Sequence, residues 1–450
     1  MKYQNLKTVD AEYDAGVIQK PNPFFEALPG MMSKEDLFDR IKGRPVLPAD
    51  IDGLSGVERR QLIPALSSLF IPMDYMYRLY DTIYRAIEIT YMTMTVMETT
   101  RQLNALFSSN TGEIPQQDYT THSDCGAILG VPGVGKTSTI KRCMGAMPQV
   151  IAHSLYRGKS FYCKQITYLF VECPSDCSVK TLGFNIANAI DMAIGSNYFA
   201  QMTKTKSLSV SAMALYIKQF CLNHHVGCII IDEIQNVVLT AQAQKQTNRL
   251  IKFLVELMND TCTSIFLVGT LDAEELFLKE EHLKRRTRGA RLLPMTSGAT
   301  YRHFLDTIWS YQFTRKRVPL TDKMANLIFD YSGGIPAYIT KIFQESQIQA
   351  IISGHEEIDV NTVLKVIEML SIHIPKTYTL GTSISNYSVV EEPNTQLGNV
   401  PGEPQTSSRG RKAAKRDERD LLSLALDVKM PGDLLEKLRQ LSLLDEVQTC

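Results

Sequence analysis

No uninterrupted apolar run in the chain approaches the length of about 18 residues that a membrane-spanning helix needs, so no membrane span is expected. Charge of one sign is also missing. The 48 Lys and Arg are matched by 48 Asp and Glu, so any grip on nucleic acid has to come from local patches. The opening residues, MKYQNLKTVDAEYD, lack the apolar stretch of a secretory signal. No internal repeat of roughly 20–50 residues is visible. The nine cysteines form an odd set, scattered through apolar or mixed stretches from Cys125 to Cys450, and suit reduced thiols better than a disulfide framework. Cys173 and Cys177 stand four apart with no second Cys/His pair at metal spacing, so they read as structural thiols. A cytoplasmic protein with no membrane contact is therefore expected. What is present is ample: 450 residues, 44% of them hydrophobic, suffice for two or three domains with real cores.

Texture divides the chain. Residues 1–107 read as a docking segment and a helix. The Pro-broken stretch Pro21-Asn22-Pro23-Phe24-Phe25-Glu26-Ala27-Leu28-Pro29-Gly30 should exclude a helix and leave its apolar residues in need of a dock. A helical pattern follows from about Asp74 to Leu106, with Tyr77, Tyr80, Ile83 and Tyr84 on one face. Residues 108–123 are a polar connector. Residues 124–298 alternate short apolar runs (Cys125–Leu129, Ile166–Glu172, Cys228–Ile231, Ser264–Val268) with helical stretches such as Val179–Ile194 and Gln244–Met258. That alternation predicts an α/β fold with a parallel sheet. Residues 299–374 carry helix signals only and read as a small helical lid. Residues 375–410 have the composition of a flexible linker, and 411–450 form a basic, Leu-rich tail.

The chemistry concentrates at Gly130-Val131-Pro132-Gly133-Val134-Gly135-Lys136-Thr137, which fits the phosphate-loop pattern at every fixed position, between an apolar strand and a helix beginning at Ser138. Its glycines let backbone N–H groups turn toward phosphates. Lys136 is expected to reach the β- and γ-phosphates, and Thr137 to ligand Mg²⁺. About 95 residues on, the run Cys228-Ile229-Ile230-Ile231 ends in Asp232-Glu233. Carboxylates closing a buried strand call for a cation or water. Asp232 facing a Mg²⁺-bound nucleotide answers that, with Glu233 deprotonating the attacking water, so the pair points to hydrolysis of ATP.

Three weaker signals complete the inventory. Thr270 ends the run Ile265–Gly269, where a polar residue can hold the attacking water or the γ-phosphate. Lys284-Arg285-Arg286-Thr287-Arg288-Gly289-Ala290-Arg291 packs five cations into eight residues. Arg285 and Arg286 are candidates for an arginine finger acting on a neighbour's nucleotide, with a DNA contact or a solvated charge run as the alternatives. The stretch Tyr156–Lys164 interleaves Arg157, Lys159 and Lys164 with aromatics, a mix suited to a nucleic-acid backbone and equally to an exposed loop.

Taken in order, the loop, the strand-end carboxylates, Thr270, the trailing arginines and the helical lid resemble an AAA+ P-loop ATPase. More narrowly, the chain resembles the TnsC/TniB regulators of cut-and-paste transposons, CRISPR-associated ones among them. The resembling pieces are Asn22–Pro29, Ile71-Pro72-Met73-Asp74-Tyr75, Pro148-Gln149-Val150-Ile151, Gly195-Ser196-Asn197-Tyr198 and Ile231–Gln235, and the likeness covers roughly residues 20–370. The resemblance implies a protein that binds ATP, forms a homo-oligomeric ring or filament on double-stranded DNA, links a target-selection protein to transposase subunits, and disassembles on hydrolysis. One departure stands out: many such lids carry an arginine just after a glycine, whereas Gly334-Ile335-Pro336-Ala337 has none, leaving Lys341 as the substitute. A helicase loader or initiator of the same class, and a small-molecule P-loop kinase, are the competing readings.

Overall fold

The computed structural model describes residues 8–14, 21–111, 125–204, 208–237, 243–274 and 287–371, with backbone alone at 105, 107–111, 237, 243–248 and 287–289. All belong to the first of two units, Met1–Glu392; the expected linker and tail lie outside the described residues.

The N-terminal part begins with β1 (Thr8–Asp10), followed by α1 (Pro23–Glu26), α2 (Lys34–Ile41), α3 (Gly56–Leu62), α4 (Asp74–Thr93) and α5 (Val96–Thr111). The Pro-rich stretch does hold a helix, against expectation. Pro23 sits in the first turn, where its missing N–H costs nothing, and the Asn22 side chain accepts from Phe24 N at 3.1 Å. The other end of the same amide donates to the carbonyls of Tyr91, at 2.6 Å, and Met94, at 3.3 Å, closing off the end of α4. Phe24 is fully buried and stacks on His225 with ring centroids 3.8 Å apart. The long helix read over 74–106 is two helices. The break falls at Met94, and the Thr95 hydroxyl caps the second helix by accepting from Glu98 N at 3.1 Å. Tyr80, Ile83 and Tyr84 are buried on the expected face, with Tyr77 half-buried beside them.

The core runs β2 (Cys125–Gly130), α6 (Lys136–Gly145), β3 (Val150–Tyr156), β4 (Lys159–Ile166), β5 (Tyr168–Glu172), α7 (Val179–Ile194), α8 (Tyr198–Lys204), α9 (Val210–Asn223), β6 (Cys228–Asp232), α10 (Ala243–Thr261), β7 (Ser264–Gly269) and β8 (Thr287–Leu292). Five parallel strands lie in the order β5-β6-β7-β2-β8. The continuous apolar runs of β2 and β7 are buried from end to end, as parallel strands covered on both faces require. Two readings change here. The run Ile166–Glu172 is divided: Ile166 closes β4, and Thr167, bonded through its hydroxyl to Pro148 O at 2.6 Å, turns the chain into β5. The cation run Lys284–Arg291 ends inside a fifth strand, β8, so Arg288 and Arg291 lie beside β2 in register with Gly126 and Leu129. A separate small sheet, β1-β3-β4, carries an antiparallel hairpin where a loop between strands was expected.

The segment read as a lid comprises α11 (Ala299–Trp309), α12 (Asp322–Ser332), α13 (Pro336–Ile352) and α14 (Val360–Leu370), with α13 at its centre. Among the described residues, two ion pairs tie it to the N-terminal part, an exposed one between Arg317 and Asp52 at 2.9 Å and a more buried one. Arg59 of α3 donates to both carboxylate oxygens of Glu356, at 2.8 and 2.6 Å, and to Phe313 O at 2.7 Å, with the Arg59 side chain only 2% exposed. The guanidinium holds the Glu356 carboxyl below the usual carboxylate range. Arg59→Ala takes the partner from the part-buried Glu356 carboxylate and the donor from Phe313 O, so it is expected to lower stability by about 2 kcal/mol in chemical denaturation. The pair's contribution is whole above the ordinary carboxyl value of 4.5 and is lost as pH falls through the lowered one. Glu356→Gln should therefore flatten the acid limb of the stability curve.

Candidate nucleotide-binding site

The turn from β2 into α6 is made by residues whose conformation dictates their identity. Gly133 and Gly135 have φ of 82° and 93°, the left-handed region that side chains avoid. Gly135 caps α6, so the helix N-terminus opens directly onto the loop Gly130–Thr137. Lys136, first residue of the helix, folds back so that Nζ donates to Gly130 O at 2.9 Å and Val131 O at 3.2 Å. Its burial pulls its pKa below the usual lysine range, and Asp232 and Glu233 act against that shift. Ser138 continues the helix and faces the cavity described below.

Sheet order brings the remaining groups together. β2 carries the loop and β6 the carboxylates, with β7 between them, so all three strands deliver their carboxyl ends to one crevice. Thr137 Oγ1 donates to Asp232 Oδ2 at 2.6 Å across 95 residues of sequence. Asp232 Oδ1 in turn accepts from Glu233 N at 2.9 Å. Glu233 is exposed and has φ of 59°, in the left-handed region, where the chain turns out of β6. Thr270 follows β7, and its hydroxyl donates to Asp272 Oδ2 at 3.1 Å.

The donors fit a magnesium nucleotide. A hydroxyl and a carboxylate in contact are the hard oxygen pair that Mg²⁺ takes from protein, the rest of its shell coming from phosphates and water. Among the described residues no cluster of three His, Cys, Asp or Glu forms a competing metal site. Cys173 and Cys177 are buried thiols, and burial pushes Cys173 up to about 12.

A cavity of about 380 Å³ opens beside the loop. Its walls come from the segment before the core (Ile71, Met73, Tyr75), from α6 (Thr139, Arg142) and from the lid (Phe304, Ala337, Lys341). The lid reaches the loop through backbone: Ala337 N, a free donor in the first turn of α13, donates to Gly133 O at 3.2 Å. Lys341 stands on the cavity wall with Nζ 2.6 Å from Glu345 Oε1, its charge met on its own helix. Sequence reading missed Thr139 and Arg142 as wall residues, since no local motif marks them.

Residues 119–277 match the model of a family described as an AAA domain. This stretch is an AAA domain. The chain thus carries an ATPase domain on an α/β fold with a parallel sheet core. Among solved structures, it is similar to the Aeropyrum pernix ORC1 protein in complex with DNA, at 14% identity and a TM-score of 0.38 over 61% of this chain. That alignment takes in 64% of the ORC1 chain, under two thirds of its length. The Walker-type ATPase PABY2304 of Pyrococcus abyssi is 14% identical with a TM-score of 0.37, covering 62% of this chain and 72% of that one. Cdc6p from Pyrobaculum aerophilum is 16% identical with a TM-score of 0.36, covering 64% and 71%. No curated protein matches the chain in sequence.

The remaining expected residues fall around the AAA domain as follows. Arg285 and Arg286 lie outside the described residues. Arg157, at the turn of the β3–β4 hairpin, pairs with Glu26 at 3.0 Å, and Lys164 donates to Ile194 O at 2.9 Å at the end of α7. Lys159 is exposed on the hairpin, as is Tyr162, which is 81% accessible. No helix among the described residues is long and apolar enough to cross a membrane.

Proposed function

We propose that this chain is an ATP-dependent regulator of DNA transposition, one that oligomerises on double-stranded DNA, connects a target-selection protein to transposase subunits, and is released by hydrolysis. One observation carries the reading. Ile71, Met73 and Tyr75, from a segment on which the resemblance to TnsC/TniB regulators rests, form a wall of the cavity beside the phosphate loop. A segment that carries the resemblance thus lines the cavity next to the phosphate loop, which supports the reading.

In this reading the loop N–H groups and Lys136 hold the triphosphate, and the base occupies the cavity under the lid. Mg²⁺ held by Thr137 and Asp232 supplies charge neutralisation at the phosphates. Glu233 takes the proton of the attacking water, Thr270 holds that water or the γ-phosphate, and Arg285 or Arg286 reaches the nucleotide of a neighbouring subunit. The exposed cations of the β3–β4 hairpin, Lys159 and Lys164, meet the DNA backbone.

The test is assembly. Purified protein with a non-hydrolysable ATP analogue and duplex DNA should form rings or filaments in negative-stain micrographs and stay dispersed without nucleotide. Monomers under both conditions would sink the reading. Because the contacts are to phosphates, affinity should fall steeply with salt, by about 10³-fold between 50 and 200 mM if six or more phosphates are contacted, and show little base preference. ATP turnover stimulated by a metabolite and indifferent to DNA would point to a kinase.

A further inference from the structure

The side-chain amide of Gln235 stands between two residues of the site. Its Nε2 donates to Glu233 Oε2, and its Oε1 accepts from the backbone N–H of Thr270 at 3.1 Å. The partners fix which way the amide points. A backbone N–H can only donate, so oxygen must face Thr270, and that turns the NH₂ toward a carboxylate that can only accept.

The surroundings are shaped to hold this bridge. Gln235 lies in a tight 3₁₀ turn, Ile234–Val237, which folds back against the end of β7. The left-handed backbone of Glu233 starts the turn, and Asn236 pins it, with its N–H on Glu233 O and its side-chain amide on Cys173 O, both at 3.0 Å. On the facing strand only glycine leaves room: a Cβ at Gly269 would come within 2.6 Å of Gln235 Oε1 and 2.7 Å of Ile234 Cγ2.

We propose that Gln235 is a positioning residue for ATP hydrolysis, fixing the Glu233 carboxylate to the end of β7 so that Glu233 and Thr270 move as one unit. This rests on the reading of Glu233 as the general base. The amide touches neither nucleotide nor attacking water; it acts through the carboxylate it orients. A carboxylate left to swing samples orientations from which it cannot take the proton, and misplacement of a catalytic group lowers kcat without weakening ATP binding.

The decisive variant is Gln235→Glu. It keeps an oxygen for the Thr270 N–H, cannot donate to Glu233, and sets a second negative charge beside it. Gln235→Ala removes both contacts. Each should lower kcat by about ten-fold or more while KM for ATP and the Kd for a fluorescent ATP analogue stay within about two-fold. The melting midpoint should be unchanged, since the side chain is only half-buried. Gln235→Glu turning over at the rate of the unaltered chain would overturn the proposal, as would a rise in KM matching the loss in kcat. Glu233→Gln measured alongside separates the two failures. If it stays active, the general-base reading falls and takes the proposal with it; if it is inactive while Gln235→Glu is unimpaired, only the role of Gln235 falls.

Discussion

Glu233→Gln is expected to leave ATP bound and the protein assembled on DNA while turnover drops by about 10²- to 10⁴-fold, the range that general-base catalysis contributes. The change swaps one oxygen for an NH₂ of nearly the same size. Glu233 is exposed at the strand end and carries no packing load, so stability should hold. Only the ability to accept a proton is removed. If ATP binding supplies the free energy of assembly and hydrolysis ends it, complexes of this variant on DNA should outlast those of the unaltered chain. Dissociation after dilution, followed by light scattering, measures the lifetime. A variant that still hydrolyses ATP at the original rate would show that some other group activates the water.

Lys136→Ala should have the larger effect on binding. Lys136 sits half-buried at the mouth of the loop with Nζ on two loop carbonyls, so its ammonium is held where phosphate charge would accumulate, and burial already makes that charge costly. Deleting it leaves a triphosphate facing backbone N–H groups and a helix N-terminus without the main cation. Equilibrium binding of a fluorescent ATP analogue should become undetectable at concentrations that saturate the unaltered chain, and assembly on DNA should fail with it. Retained tight binding would refute the assignment of the loop. The two variants thus divide the cycle, one stopping entry of nucleotide and the other its consumption.

Much of this was legible in the sequence because the features involved are local. The phosphate loop is eight consecutive residues whose glycines are dictated by backbone geometry, and β6 is an apolar run ended by two carboxylates. α7 was legible from Val179 to Ile194 because its apolar period is unbroken. What escaped was set by distant partners. The turn at Pro23 is helical because Asn22 finds α4's carbonyls about 70 residues away, which no local pattern announces. The break at Met94 was hidden because the apolar period continues through it. β8 was masked by its charge: edge strands carry cations, and the run read as the source of an arginine finger, with a DNA contact or a solvated stretch as alternatives, and not as a strand in register with β2. The cavity wall is drawn from three parts of the chain and has no signature in any of them.

The hydrogen bond from Ala337 joins the phosphate loop to a helical segment that lacks an arginine just after Gly334. It runs main chain to main chain, so substitutions at position 337 that keep an N–H and a small side chain leave it in place, and an inventory of side chains would never reveal it. Proline is the residue that must sever it, having no proton to give. A wire of this kind depends on the course of the backbone and not on which small side chain stands there.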